Sequence, residues 1–142
     1  MTVKQLSVFI ENRQGRLGEV LAVLKRAHIN ILSMCVADTT EYGLLRLIVN
    51  DPECGKEALL ADGFSSMVTE VLIIKLPHRA GSLSQILELI AAKCINVEYM
   101  YGLSVDGADA AVVMKTGDIA AAGEVLRESG IATMSAEELA TL

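Results

Sequence analysis

Arg13-Gln14-Gly15-Arg16-Leu17 is answered 66 residues later by Arg79-Ala80-Gly81-Ser82-Leu83. The same shift carries Ile29-Asn30-Ile31 onto Ile95-Asn96-Val97, Leu21 onto Leu87 and Met34 onto Met100. Farther on, Gly63-Phe64 through Met67 matches Gly130-Ile131 through Met134 at a shift of 67, so one residue has been inserted between the two anchors. Self-similarity on this scale marks a chain built from two copies of one unit. The boundary falls at Thr69/Glu70, giving domains 1–69 and 70–142.

Both copies carry the same order of local signals. Leu6 to Ile10 is an apolar-rich strand, after which Gly15 opens a helix with apolar residues at Leu17, Val20, Leu21, Leu24 and Ala27. That spacing makes one buried stripe, and Leu83, Ile86, Leu87, Ile90 and Cys94 repeat it. Second strands follow over Ile31–Ala37 and Val97–Leu103, then turn chemistry at Thr39 to Gly43 and at Asp106-Gly107, a hairpin signal. Third strands run Leu44–Val49 and Ala110–Met114. The second helices start at Asp51-Pro52, an N-cap with proline in the first helical position, and at Asp118; they stop at Gly63 and Gly130. A short fourth strand closes each copy. The fold class is therefore α+β: two tandem ferredoxin-like βαββαβ units, each an antiparallel four-stranded sheet of order 4-1-3-2 with both helices on one face.

The second strand lies at an edge in this order. An unpaired edge is a liability, so a homodimer or larger assembly through these edges is expected. Val71-Leu72-Ile73-Ile74 and Ala110–Met114 are nearly continuous apolar runs, expected where both sheet faces are covered. A linker of only two or three residues between the copies favours stacking the two sheets face to face.

Charge and cysteine usage narrow the function. The net charge of −6 argues against nucleic acid as a partner. Arg13, Arg16, Lys25 and Arg26 form the one local basic cluster and read as a solvated helix face. No segment reaches the roughly 18 apolar residues of a membrane span, and the N-terminus lacks the apolar stretch of a signal peptide. Cys35, Cys54 and Cys94 are odd in number and widely spaced, so they are expected to be small buried hydrophobes in a reducing cytoplasm, with neither disulfide framework nor zinc site. No cofactor is indicated.

Glu11-Asn12-Arg13-Gln14-Gly15-Arg16-Leu17, followed after one helix by Ile29-Asn30-Ile31, resembles the ACT domain, in particular the regulatory domain at the C-terminus of phosphoglycerate dehydrogenases. There the common pattern is Asn-Arg-Pro-Gly-x-Leu and then Ile-Asn-Ile. This chain departs at the proline, replaced by Gln14 and Ala80, and has His78 where the first copy has Asn12. Ala37-Asp38-Thr39 and Glu98-Tyr99-Met100-Tyr101 further resemble a stand-alone tandem ACT family described as amino-acid-binding. The resemblance implies a non-catalytic sensor that binds an amino acid or similar small carboxylate at domain interfaces, with a separate metabolic enzyme among its candidate partners.

The residues supply chemistry for such a role. A helix start offers unpaired backbone N–H groups and the positive end of a dipole to a carboxylate. Gly15 permits close approach, and Asn12, Asn30 and Asn96 can both donate and accept. The candidate ligand residues are Asn12, Arg13, Gly15, Arg16, Leu17 and Asn30 in the first copy, with His78, Ala80, Gly81, Ser82, Leu83 and Asn96 in the second. Each has a plainer reading. Asn12 fits an Asx turn, Asn30 and Asn96 a strand-entry turn, and Arg16 a surface position. His28 reads as a solvated helix-end residue, and Tyr99 and Tyr101 as packing. Topology restricts the site. The first strand ends at Asn12 and the helix returns, so Asn30 begins its strand at the opposite end of the sheet. One small ligand cannot touch both within a unit. Two units paired antiparallel through their second strands bring the Asn12 loop of one toward Asn30 or Asn96 of the other.

Three other functions compete. An RNA-binding βαββαβ domain stacks bases on aromatics of strands one and three, and neither third strand as delimited here has one. A small enzyme would need a nucleophile paired with a base, a metal cluster or a phosphate loop, and none is present. An interaction module that kept the ACT fold without a ligand fits the missing prolines and His78.

Overall fold

The computed structural model describes residues 1–38, 41–105 and 109–142. The chain divides into two compact units, Lys4–Thr69 and Glu70–Leu142, the second joined by Met1–Val3. Thr39, Thr40, Asp106 and Gly107, on which two of the expected turns rest, lie outside the described residues.

The first unit holds β1 (Val3–Glu11), α1 (Arg16–Arg26), β2 (Ile31–Asp38), β3 (Tyr42–Val49), α2 (Pro52–Ala61) and the opening residues of β4 (Ser65–Pro77). Its strands lie in the order β2-β3-β1-β4, with β3 antiparallel to both β1 and β2. Alternation along the strands turns Leu6, Val8 and Ile10 of β1 and Leu45, Leu47 and Val49 of β3 into one core with Val20, Val23 and Leu24 of α1 and Leu59 of α2. Both helices therefore cover the same sheet face. At Gly55 α2 comes so near that an added Cβ would stand 3.0 Å from Leu6 Cδ2.

In the second unit the remainder of β4 is followed by α3 (Ser82–Ala91), β5 (Val97–Leu103), β6 (Asp109–Thr116), α4 (Ile119–Glu128) and α5 (Ala136–Ala140). The order β4-β6-β5 is antiparallel. Leu72, Ile74 and Leu76 meet Ile86 and Ile90 of α3 and Ala122 and Leu126 of α4 in the second core. Both units are thus the expected βαββαβ arrangement, and β2 and β5 are edges. Each edge strand slips register just after its start, between Ile31 and Ser33 and between Val97 and Tyr99.

The local helix signals act as read. Asp51 Oδ1 accepts from Cys54 N–H at 3.1 Å and Asp118 Oδ1 from Ala121 N–H at 3.0 Å. Gly63 and Gly130, past the helix ends, take φ of +87° and +72°.

Other expectations need correction. The first fourth strand is not short and no linker follows it, because Ser65–Pro77 is one unbroken strand. The last fourth strand shrinks to a bridge between Ile74 and Thr133. There Ser135 Oγ accepts from Glu138 N–H at 3.2 Å and starts α5 instead, a Ser-x-x-Glu cap. The stripe of α1 is rotated: Val23 is buried, Leu21 only partly, and Leu17 is exposed. Cys54 and Cys94 are exposed and Cys35 half-buried, not core residues. Cys94 and His28 hold equivalent positions past a helix end, both at φ +58°, where the chain reverses and points the side chain to solvent. β3 also begins earlier than expected, at Tyr42, which with Phe9 is an exposed aromatic on the first and third strands. The case against nucleic acid then rests on charge.

Candidate functional site

The two loops that lead into α1 and α3 are built alike. Arg13 N–H donates to Glu11 O at 2.9 Å and Arg16 N–H to Arg13 O at 3.3 Å; Arg79 N–H to Pro77 O and Ser82 N–H to Arg79 O repeat both distances. Gly15 and Gly81 are the N-caps, at φ +87° and +88°, a left-handed conformation that favours glycine. Glycine brings no cap, and neither helix start is closed by a side chain. Asn12, Arg13, Gly15 and Leu17 are exposed, as are His78, Ala80 and Gly81, while Leu83 is half-buried. Asn12 N–H also donates to Glu41 O at 2.9 Å, tying the loop to the start of β3. Arg13 pairs with Glu11 at 2.8 Å.

Asn30 stands at the other end. Its N–H donates to Asn50 Oδ1 at 2.9 Å and its carbonyl accepts from Asn50 N–H at 3.1 Å, so the backbone is clasped at the end of β3. At Asn96 only the second of these bonds recurs, its carbonyl accepting from Gly117 N–H at 3.0 Å. Glu11 pairs with Tyr42 at the start of β3 and Ile31 with Val49 at its finish. Seven strand steps separate them, roughly 24 Å. The structure does not bring Asn12 and Asn30 of one unit together, nor His78 and Asn96.

Asn96 does border an open groove of about 630 Å³ with Cys94, Ile95, Gly117, Asp118 and Glu124. Glu124 hydrogen-bonds Arg127, and that guanidinium holds its carboxyl below the usual carboxylate range.

Arg16 and Ser82, equivalent by the repeat, both turn inward rather than out. The Arg16 guanidinium lies over the Phe64 ring, 4.5 Å from its centroid, and Nη1 donates to Glu19 Oε2 at 2.5 Å. This corrects the reading of Arg16 as part of a solvated face: the aromatic surface stacks the planar cation. In the second unit the matching residues are Ser82, Ile131 and Gln85, and all three line a cavity of about 320 Å³. The partnership with Phe64 depends on which side chains turn inward. The one hint was the repeat itself, which sets Arg16 against Ser82 and Phe64 against Ile131.

Among the described residues no group of His, Cys, Asp and Glu is arranged to hold a metal ion, and no helix is long and apolar enough to cross a membrane.

The model of the family described as an ACT domain pair matches residues 1–142. Protein BT0572 from Bacteroides thetaiotaomicron has a solved structure with a TM-score of 0.94 at 36% identity, covering 100% of this chain and 98% of its own. The regulatory subunits of aspartate kinase from Thermus thermophilus, in a ligand-free form, and from Thermus flavus share the fold. Their TM-scores are 0.59 and 0.60, each at 14% identity over 88% of this chain and 91% and 90% of theirs. No curated protein matches the chain. With two βαββαβ units, a repeated glycine-led loop and a family match that leaves no residue outside it, the chain belongs to the ACT domain pair family.

Proposed function

We propose that this protein is a non-catalytic, cytoplasmic sensor that binds an amino acid or similar small carboxylate where the ACT units of two chain copies meet. The observation that carries this reading is the separation just described. The polar groups suited to an amino acid lie roughly 24 Å apart within a unit, while β2 and β5 are edges. Antiparallel pairing of second strands across a two-fold axis sets loop 12–17 or 78–83 of one copy against Asn30 or Asn96 of the other. The uncapped helix start then takes the carboxylate, and the asparagine amide takes the ammonium group. The aspartate kinase relatives are regulatory subunits, which favours a regulatory output through a separate metabolic enzyme or through assembly state.

The test is a thermal-shift screen of the intact protein against the amino acids and small carboxylates. A ligand that binds only the folded state stabilises it by about 2.7 kcal/mol at a hundred times its Kd. A concentration-dependent rise in Tm for one chemical class is expected. A flat response across the whole panel would leave the fold as an interaction module without a ligand.

A further inference from the structure

The two units differ most sharply beneath the first helix. In the first, Arg16 reaches over Phe64 and holds Glu19. In the second, Ser82, Ile131 and Gln85 replace that trio and border a cleft open to the surface of the unit. Its apolar wall comes from Leu76, Ile86, Leu89 and Ile131, and Arg79 and Lys75 are its charged residues. Among the described residues no carboxylate lines it, in a chain whose net charge is −6. Lys75 is engaged with Glu138 at 2.6 Å, which leaves Arg79 as the cation for a ligand. Ser82 is 6% exposed, and its Oγ is buried without a hydrogen-bond partner among the described residues. A buried hydroxyl with no partner is unfavourable, and an acceptor on a ligand in the cavity would relieve it. The volume sits at the small end of the roughly 300–1,000 Å³ typical of ligand pockets.

We infer that this cavity of the second unit is a binding site for a small monocarboxylate with a short branched apolar tail. The tail packs on Ile86, Leu89 and Ile131, and the carboxylate accepts from Ser82 Oγ and the Arg79 guanidinium. The nearby start of α3 adds favourable potential. The site lies wholly within one unit and needs no second copy; it shares Ser82 and the α3 start with the interface reading, and differs from it in using Ile86, Leu89 and Ile131 and no asparagine. The first unit lacks it because its own Arg16 occupies the corresponding place.

Isovalerate is the probe, titrated into the full chain carrying ¹³C-labelled isoleucine and leucine methyls, with affinity read from chemical shifts. The wild type is expected to show saturable shifts at the Ile86, Leu89 and Ile131 methyls. R79Q and S82A should each weaken binding about tenfold or more, the usual effect of losing a hydrogen bond to a charged group. The double variant S82R/I131F, which imports an arginine over an aromatic ring from the first unit, should abolish it. N12A/N96A, which removes two asparagines of the interface site but leaves Arg79 and Ser82, should leave the isovalerate shifts at the three methyls unchanged; their loss in that variant would place isovalerate at the interface instead and overturn the inference. Absence of saturable shifts at those three methyls would mean that the cavity holds only water, and would overturn the inference. So would unchanged affinity in both R79Q and S82A, each shown to be folded by circular dichroism, even if the double variant fails to fold.

Discussion

Replacing Leu24 by alanine tests the orientation of α1 more sharply than any other single change. Leu24 is completely buried, in contact with the cluster that joins β1, β3 and α2. Truncation removes three carbons, roughly 2.4 kcal/mol at about 0.8 kcal/mol each. The rigid strands around it relax only partly, and the residual cavity raises the total to about 3–5 kcal/mol. Leu21 is only half-buried and lies outside that cluster, so Leu21→Ala should cost about 1 kcal/mol, the share of the transfer energy it has to lose. Urea unfolding followed by far-ultraviolet circular dichroism separates the two. With a slope of about 1–3 kcal/mol per molar, the midpoints should differ by on the order of 1 M, Leu24→Ala being the lower. If Leu21→Ala costs as much as Leu24→Ala, the helix is turned the other way and the core assignment is wrong.

Gly15→Ala should destabilise by about 1–2 kcal/mol, because its φ of +87° is left-handed although nothing stands near the added methyl. Gly18→Ala, also in open space but inside α1, should instead stabilise by up to about 1 kcal/mol; equal shifts in Tm for the two would refute the loop conformation. Asn12→Ala and Asn96→Ala should each weaken amino-acid binding by about 1–3 kcal/mol without unfolding the protein. Calorimetry on the double variant, with the dimer intact, checks this, and undiminished binding would place the pocket elsewhere. Small-angle scattering at micromolar concentration should show a dimer or larger assembly, and a monomer would remove the pairing of second strands.

The order of elements was legible because it rests on short-range chemistry repeated twice. Asp51, Asp118, Gly63 and Gly130 act within one helical turn of where they stand, so their effect can be read locally. The rotation of α1 was not legible. Apolar residues at 17, 20, 21, 23, 24 and 27 satisfy more than one stripe, and only the sheet beneath chooses among them. Thr133 fared differently again: Ser135 and Glu138, three apart, favour a helix over extending the strand. At the candidate site, the separation of Asn12 from Asn30 followed from topology alone. The burial of Ser82 and the stacking of Arg16 on Phe64 involve residues far apart in the chain, and no periodicity reports such pairs.

The irregularity at the head of each edge strand limits how a partner can join. An extra residue at Leu32 and at Glu98 throws the backbone out of line, leaving its first donors and acceptors unsuited to a flat ladder. A neighbouring strand can zip only against Ser33–Asp38 or Tyr99–Leu103. Such a short ladder has few alternative alignments. Sliding by one residue exchanges the two faces of the incoming strand, and sliding by two runs it into the bulge or off the end. If a second copy pairs there as proposed, the same kink that breaks regularity beside Asn30 and Asn96 would serve as a stop, admitting one alignment of that copy and setting which of its residues face the asparagine.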